Sequence, residues 1–180
     1  MTELAAAPAL ARFTALQRGL HWLMAICILA MLFIGVGMVS TVRPLHLVLL
    51  GIHKPLGISI LVLALLRLLV RWRSGVPPLP ADLPEPMRLA AHLSHYLLYA
   101  LMIALPLIGW GMLSAGDLPV VVLGLHLPPI LPSDPPLHAA LRMWHGYLAF
   151  VFFALILMHL AAALFHALVR RDNVFSSMAP

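Results

Sequence analysis

Histidine is the residue type in this chain that is best suited to chemistry. The sequence of 180 residues has ten histidines against one cysteine and six acidic residues. Two of them, His145 and His159, lie at the ends of an apolar run, MWHGYLAFVFFALILMHL (143–160). Hydrocarbon penalises an ionisable side chain unless a partner satisfies it, so histidines in such a run are candidates for a functional site.

His145 and His159 are predicted to share one face of a helix. The 14 residues that separate them come within about 40° of four full helical turns. They also span about 21 Å along the helix axis. The two imidazoles should therefore lie at two separate levels, one near each side of a membrane.

The elements that position these histidines are predicted to be membrane-spanning helices. The chain is 63% hydrophobic and 9% charged, with a mean hydropathy of +1.03, which leaves too little polar surface for a soluble domain of this size. A helix needs about 20 apolar residues to cross a bilayer. Four runs are long enough: about 20–40, 53–72, 91–113 and 144–169. We expect an all-α fold, an integral membrane four-helix bundle that forms a single domain over residues 1–180.

The basic residues predict how this bundle is oriented. Only Arg43, Lys54 and Arg142 lie at the outer helix ends, whereas the other eight of the 11 Lys and Arg residues lie at the opposite ends. By the positive-inside rule, both termini are expected in the cytoplasm. The level nearer the cytoplasm is called inner below, and the other outer. The net charge of +5 is then a signal for orientation and lipid headgroups, and no nucleic-acid partner is expected.

Depth in the membrane pairs the histidines of helix 4 with those of helices 1 and 2. His21 is near the inner start of helix 1 and His53 is near the outer start of helix 2, so we expect the pairs His21 with His159 and His53 with His145. Two neutral imidazoles without a nearby thiolate or carboxylate suit haem iron, whereas a structural zinc ion needs four ligands. The lone Cys27 excludes a C-x-x-C-H motif for covalent haem.

Cations at both levels are candidate contacts for the haem propionates. Those at the outer level are Lys54 and Arg142, and Arg67 is the deepest of the inner ones. Each could instead extend to the lipid headgroups. The remaining inner candidates are Arg18, Arg71 and Arg73.

Further histidines are candidates for the surroundings of a haem or a quinone. His92 and His95 lie three residues apart on one face of helix 3, and His95 competes with His21 as the partner of His159. His166, one step further toward the cytoplasm, could handle protons or bind a quinone, or could simply face headgroups. No function is expected for the outer-loop histidines, which are His46, His126 and His138.

The connections differ in length and composition. Loop one (about 41–52) is short, and loop two (73–88) should be extended because it holds five prolines. Loop three (about 114–141) is long and apolar, and we expect it to cap the outer end of the bundle. It is expected to contain a short strand or an interfacial helix around 118–126.

Taken together, these segments resemble the bacterial cytochrome b561 family, small four-helix cytochromes of the inner membrane with two haem b groups. The stretches that carry the resemblance are RGLHW, HKPLGISILVLALLRLLVRW, AHLSHYLLYALMIALPLIGW, WHGYLAF, LMHLAAALFH and RRDN. The resemblance implies that His21, His53, His145 and His159 are the haem ligands. In the best understood type of member, superoxide is oxidised at the periplasmic side and ubiquinone is reduced, and a histidine at the place of His166 is associated with the quinone.

Two other functions stay open at this point. The chain could be an anchor or relay subunit that passes electrons between the quinone pool and a separate redox protein. It could also be a metal transporter lined by histidines, although the acidic residues usual in cation pathways are expected only in loops and tails. The family resemblance favours the enzyme, even though the outer loops offer only Arg43, Lys54 and Arg142 to attract an anion.

Overall fold

The computed structural model describes residues 12–179 as four long helices with short additions. Residues 1–11 and 180 of the predicted single domain lie outside the described part. The elements in chain order are α1 (Ala15–Ser40), α2 (Leu45–Ser74), α3 (Glu85–Ala115), β1 (Val120–Val122), β2 (Leu125–Leu127), α4 (Pro135–Phe165), a π-helical segment (His166–Arg170) and α5 (Val174–Met178). The four long helices are apolar and long enough to span a membrane. The predicted all-α, four-helix architecture is confirmed.

The helices start earlier than the apolar runs do, and side-chain caps begin two of them, α1 and α4. Thr14 and Gln17 form a capping box at α1, in which each side chain accepts a hydrogen bond from the other residue's backbone N–H. The Asp134 carboxylate accepts from the Leu137 N–H at 3.0 Å and starts α4. Most of the predicted loop one is helical, since α2 begins at Leu45. Glu85 is the first residue of α3, so one acidic residue lies inside a helix.

A small hairpin occupies the predicted loop three. β1 and β2 pair antiparallel, with Val120 opposite Leu127 and Val122 opposite Leu125. The turn between them has positive φ at Leu123 and Gly124, as a tight two-residue hairpin turn requires. A strand near 118–126 is therefore present, and no interfacial helix forms there within the described residues.

The two helical hairpins pack into one bundle. α1 packs on α2, α3 packs on α4, and the two pairs meet mainly through α2 and α3. The buried core draws residues from all four helices: Met24, Ile28, Ile60, Ala64, Leu101, Met102, Leu105, Phe152 and Leu155. Large apolar side chains such as Phe33 and Phe150 stay exposed on the outside, which suits a surface that faces lipid.

At the inner end, α5 and loop two are tied to the start of α1. The Trp22 indole donates to the Met178 carbonyl at 2.9 Å, and the Gln17 amide donates to the Gly75 carbonyl at 2.8 Å. These hydrogen bonds fix the C-terminal segment and loop two against the helix that carries His21.

Candidate functional site

The structure brings His21 of α1 close to His159 of α4. The centres of the two imidazole rings are 6.4 Å apart and the ring planes are inclined at 61°. Both rings are half-buried. They reach toward each other between two helices that belong to different helical hairpins.

His53 of α2 and His145 of α4 form a second pair near the other end of the bundle. Their ring centres are 6.1 Å apart and the planes are inclined at 68°. Gly109 of α3 makes room for this pair, because a Cβ atom there would lie 3.3 Å from the His145 Cε1 atom. The Leu105 carbonyl, one turn before Gly109, lies near His145 but outside hydrogen-bonding geometry.

The spacing within each pair fits two axial ligands of one metal ion. An imidazole nitrogen binds a transition metal at about 2 Å and the ring centre lies about 1.1 Å behind that nitrogen, so two rings on opposite sides of one ion have centres about 6.2 Å apart. The distances of 6.1 and 6.4 Å agree with this value. Each pair could therefore hold the iron of a haem.

Unsatisfied ring nitrogens support the same interpretation. The Nδ1 atoms of His21, His53 and His145 are buried, and none has a hydrogen-bond partner within residues 12–179. Buried polar atoms nearly always have hydrogen-bond partners. The three unpartnered Nδ1 atoms therefore indicate that these rings are placed to interact with something besides the protein itself. No group of three or more His, Cys, Asp or Glu among the described residues is arranged to hold a metal ion. The described imidazoles at these two levels are thus arranged as the pairs that haem ligation requires.

His95 lies at the inner level too, beside His159. The two ring centres are 5.6 Å apart, which is shorter than the separation expected across an iron ion. Because α3 packs directly on α4, His95 approaches His159 from a neighbouring helix, whereas His21 faces it from the other hairpin. His92, one turn earlier, is exposed and lines an open groove of about 560 Å³ with Arg88 and loop two, away from the imidazole pairs.

The inner level carries two stacked cations. The guanidinium groups of Arg67 and Arg71 lie 5.4 and 5.8 Å from the centre of the Tyr99 ring. Arg67 also lies close enough to His21 and His159 for its charge to act on both imidazoles. Arg67 is thus held by contact with an aromatic ring inside the bundle.

The predicted outer cations are less firmly held. The Lys54 ammonium donates a long hydrogen bond of 3.5 Å to the Pro119 carbonyl, which ties α2 to the start of the hairpin. Arg142 is exposed and lines an open groove on α4 with His138 and Tyr147. The His138 Nδ1 atom lies 2.8 Å from the Met112 carbonyl oxygen. This histidine therefore makes a structural contact between α4 and α3.

His166 belongs to a polar cluster that the sequence did not reveal. Its Nδ1 atom lies 2.6 Å from the Asp172 carboxylate. Arg170 donates to the same Asp172 oxygen at 2.8 Å and to Asp82 of loop two at 2.8 Å. Burial raises the pKa of Asp172, but the hydrogen bonds from Arg170 and His166 outweigh it, so this pKa lies below its ordinary value. The only sequence signal was the charged RRDN tail, which begins four residues after His166.

Comparison with known proteins agrees with this arrangement. The family model for prokaryotic cytochrome b561 matches residues 12–180. The chain is 33% identical over 174 residues to the probable superoxide oxidase CybB of Yersinia pestis, covering 94% of this chain and 96% of that protein. Two cytochrome b561 homologs of Escherichia coli K12 are also similar. Homolog 1 is 28% identical, with 94% and 97% covered, and homolog 2 is 32% identical, with 93% and 90% covered.

The family match spans nearly the whole described chain, and the four spanning helices agree with it. The chain therefore belongs to the prokaryotic cytochrome b561 family, and it is a multi-pass membrane protein that transfers electrons with haem b.

Proposed function

We propose that this protein is a superoxide:ubiquinone oxidoreductase of the bacterial inner membrane that binds two haem b groups. His53 and His145 would hold one haem at the outer level, and His21 and His159 would hold the other at the inner level. The observation that carries this proposal is the presence of two imidazole pairs with ring centres 6.1 and 6.4 Å apart. The similarity to a probable superoxide oxidase supports the choice of substrate.

The overall reaction converts two superoxide ions, one ubiquinone and two protons into two oxygen molecules and one ubiquinol. Haem b, when bound by these imidazoles, supplies an iron that takes up and releases one electron at a time. The protein's residues supply the rest. The outer cations Lys54 and Arg142, with Arg43, attract an anionic donor, and the apolar bundle keeps water from the ligands.

The inner residues would hold the cofactor and receive the quinone. Arg67 and Arg71, stacked on Tyr99, are placed to neutralise propionates. His166 lies seven residues beyond His159, about 10 Å further along the helix, where a quinone head could approach from the lipid. His92 and His95 are further candidates for the surroundings of the haem or the quinone.

The test uses the purified protein alone. In the presence of a short-chain ubiquinone, superoxide generated in solution should be consumed faster than it dismutates spontaneously. One quinol should form for every two superoxide ions consumed in excess of that dismutation. The His53→Ala variant should lose this activity, while His126→Gln, a change in the outer hairpin, should keep it. Quinol formation only after a separate redox protein is added would make the chain a relay subunit and contradict the proposed enzyme.

A further inference from the structure

The turn that follows α4 brings a carboxylate back onto His166. The helix ends as a π-helical segment, and Arg171 and Asn173 both have positive φ, at 53° and 64°. The Arg171 N–H donates to the His166 carbonyl at 2.8 Å, which closes the turn. A left-handed backbone conformation at two non-glycine residues within three positions raises the conformational energy of the folded chain. Such local strain often occurs at functional sites.

The hydrogen bonds of Asp172 fix the state of the His166 ring. The carboxylate accepts from the Arg170 Nε–H at 2.8 Å and, through its other oxygen, from the Val174 N–H at 3.2 Å. An ionised carboxylate only accepts hydrogen bonds. His166 must therefore carry its proton on Nδ1 in the 2.6 Å contact, and this leaves Nε2 as the ring atom that can exchange a proton.

Few other charged groups face this pair. Asp82 reaches it only through Arg170, and its own side chain is 76% exposed, so the cluster opens to water on that side. Arg171 turns its guanidinium toward the Leu168 carbonyl. α5, which packs on the π-helical segment, carries no titratable side chain. The Phe165 ring, with its centre 6.0 Å from that of His166, is the apolar neighbour.

We infer that Asp172 is a positioning residue for His166, and that this pair delivers the protons taken up when quinone is reduced at the inner end. The inference rests on the proposed function. For each proton, the His166 Nε2–H bond breaks and an O–H bond forms on the reduced quinone. The ring, cationic while it carries both N–H protons, is then neutral with its Nδ1–H on Asp172, and water on the cytoplasmic side returns a proton to Nε2. Arg170 keeps Asp172 ionised, so the proton is not retained by the carboxylate.

The experiment measures how fast the reduced full-length protein is reoxidised by a short-chain ubiquinone, followed by haem absorbance between pH 5.5 and 8.5. In the wild type this rate should rise as the pH falls. Asp172→Asn should slow it by about 10²-fold at neutral pH and flatten its pH dependence. Haem content and the rate of haem reduction by superoxide should stay as in the wild type. Asp172→Glu should restore part of the rate and its pH dependence.

The matched control is Asp117→Asn, the same chemical change in the outer connection, which should behave as the wild type. A D172N rate and pH profile equal to those of the wild type would overturn the inference. Loss of haem in both D172N and His166→Gln would overturn it as well, because the pair would then serve the haem sites. If quinone fails to reoxidise the wild type itself, the proposed function is the part that fails.

Discussion

The imidazole rings of His53 and His145 lie 6.1 Å apart, centre to centre, although one is carried by α2 and the other by α4. Both Nδ1 atoms are buried without a partner in the described part of the chain. A similar distance between ring centres, 6.4 Å, separates His21 and His159 at the other level. Two separate pairs with this spacing favour two irons, each held by two histidines.

The choice between His21 and His95 as the partner of His159 can be tested directly. His21→Ala should reduce the haem content by one haem per chain, because the ring that faces His159 at 6.4 Å is lost. His95→Ala should keep both haems, since His95 at 5.6 Å is too close to share an iron with His159. A haemochrome assay on both variants decides the matter. Full haem content in H21A together with a lost haem in H95A would make His95 the ligand.

Arg67 should tune the reduction potential of the inner haem. A cation close to an iron favours the reduced state, and a charge at about 8 Å in an effective dielectric constant of about 20 contributes about 2 kcal/mol. Arg67→Gln should therefore lower one of the two midpoint potentials by about 50–100 mV in a redox titration. Arg73→Gln, a change of an exposed residue at the end of α2, is the control and should shift neither potential by a comparable amount. Two unchanged potentials in R67Q would place Arg67 away from the haem.

Gly109 should be required for the outer pair. An added methyl group would lie 3.3 Å from the His145 ring, so Gly109→Ala should displace the ring and weaken binding of the outer haem. Gly51→Ala is the matched control, because a Cβ atom at Gly51 meets nothing within 4 Å. Haem retention during repeated gel filtration and the sharpness of the α-band would show the difference. Equal retention in G109A and G51A would show that the ring has room to move.

Lys54 should speed the capture of superoxide. It follows the proposed ligand His53 directly, and it is one of only three basic residues assigned to the outer helix ends. Lys54→Gln should lower the second-order rate of haem reduction by superoxide several-fold at low salt, and the difference should shrink as salt is added. Stopped-flow mixing with superoxide measures this rate. A rate that is unchanged at low salt would mean that the anion enters elsewhere.

Much of the fold followed from the sequence because lipid imposes a simple rule. A spanning helix must be apolar for about 20 residues, so the four spans were found from hydropathy alone. The helix starts were missed by up to nine residues, as at α4. Capping by Asp134 and prolines at the first helical positions extend that helix beyond the hydrocarbon. The hairpin at β1 and β2 was only partly anticipated, since three-residue strands give little periodic signal.

The histidine pairs were predicted from depth along helices, and the structure brings the same residues together. What the sequence could not provide was the contact between Asp172 and His166. It depends on a π-helical segment and on two left-handed residues after it. No periodic pattern in the sequence predicts such a turn. Asp82, which pairs with Arg170, comes from loop two, a distant part of the chain. The stacking of Arg67 on Tyr99 was likewise invisible, because it joins α2 to α3.

The number of haems per chain tests the central claim most directly. A pyridine haemochrome assay with a protein determination should give two b haems per chain for the wild type and one for His53→Ala, with the remaining haem still low-spin. One haem or none in the wild type, or two in the variant, would contradict the assignment of an iron to each imidazole pair.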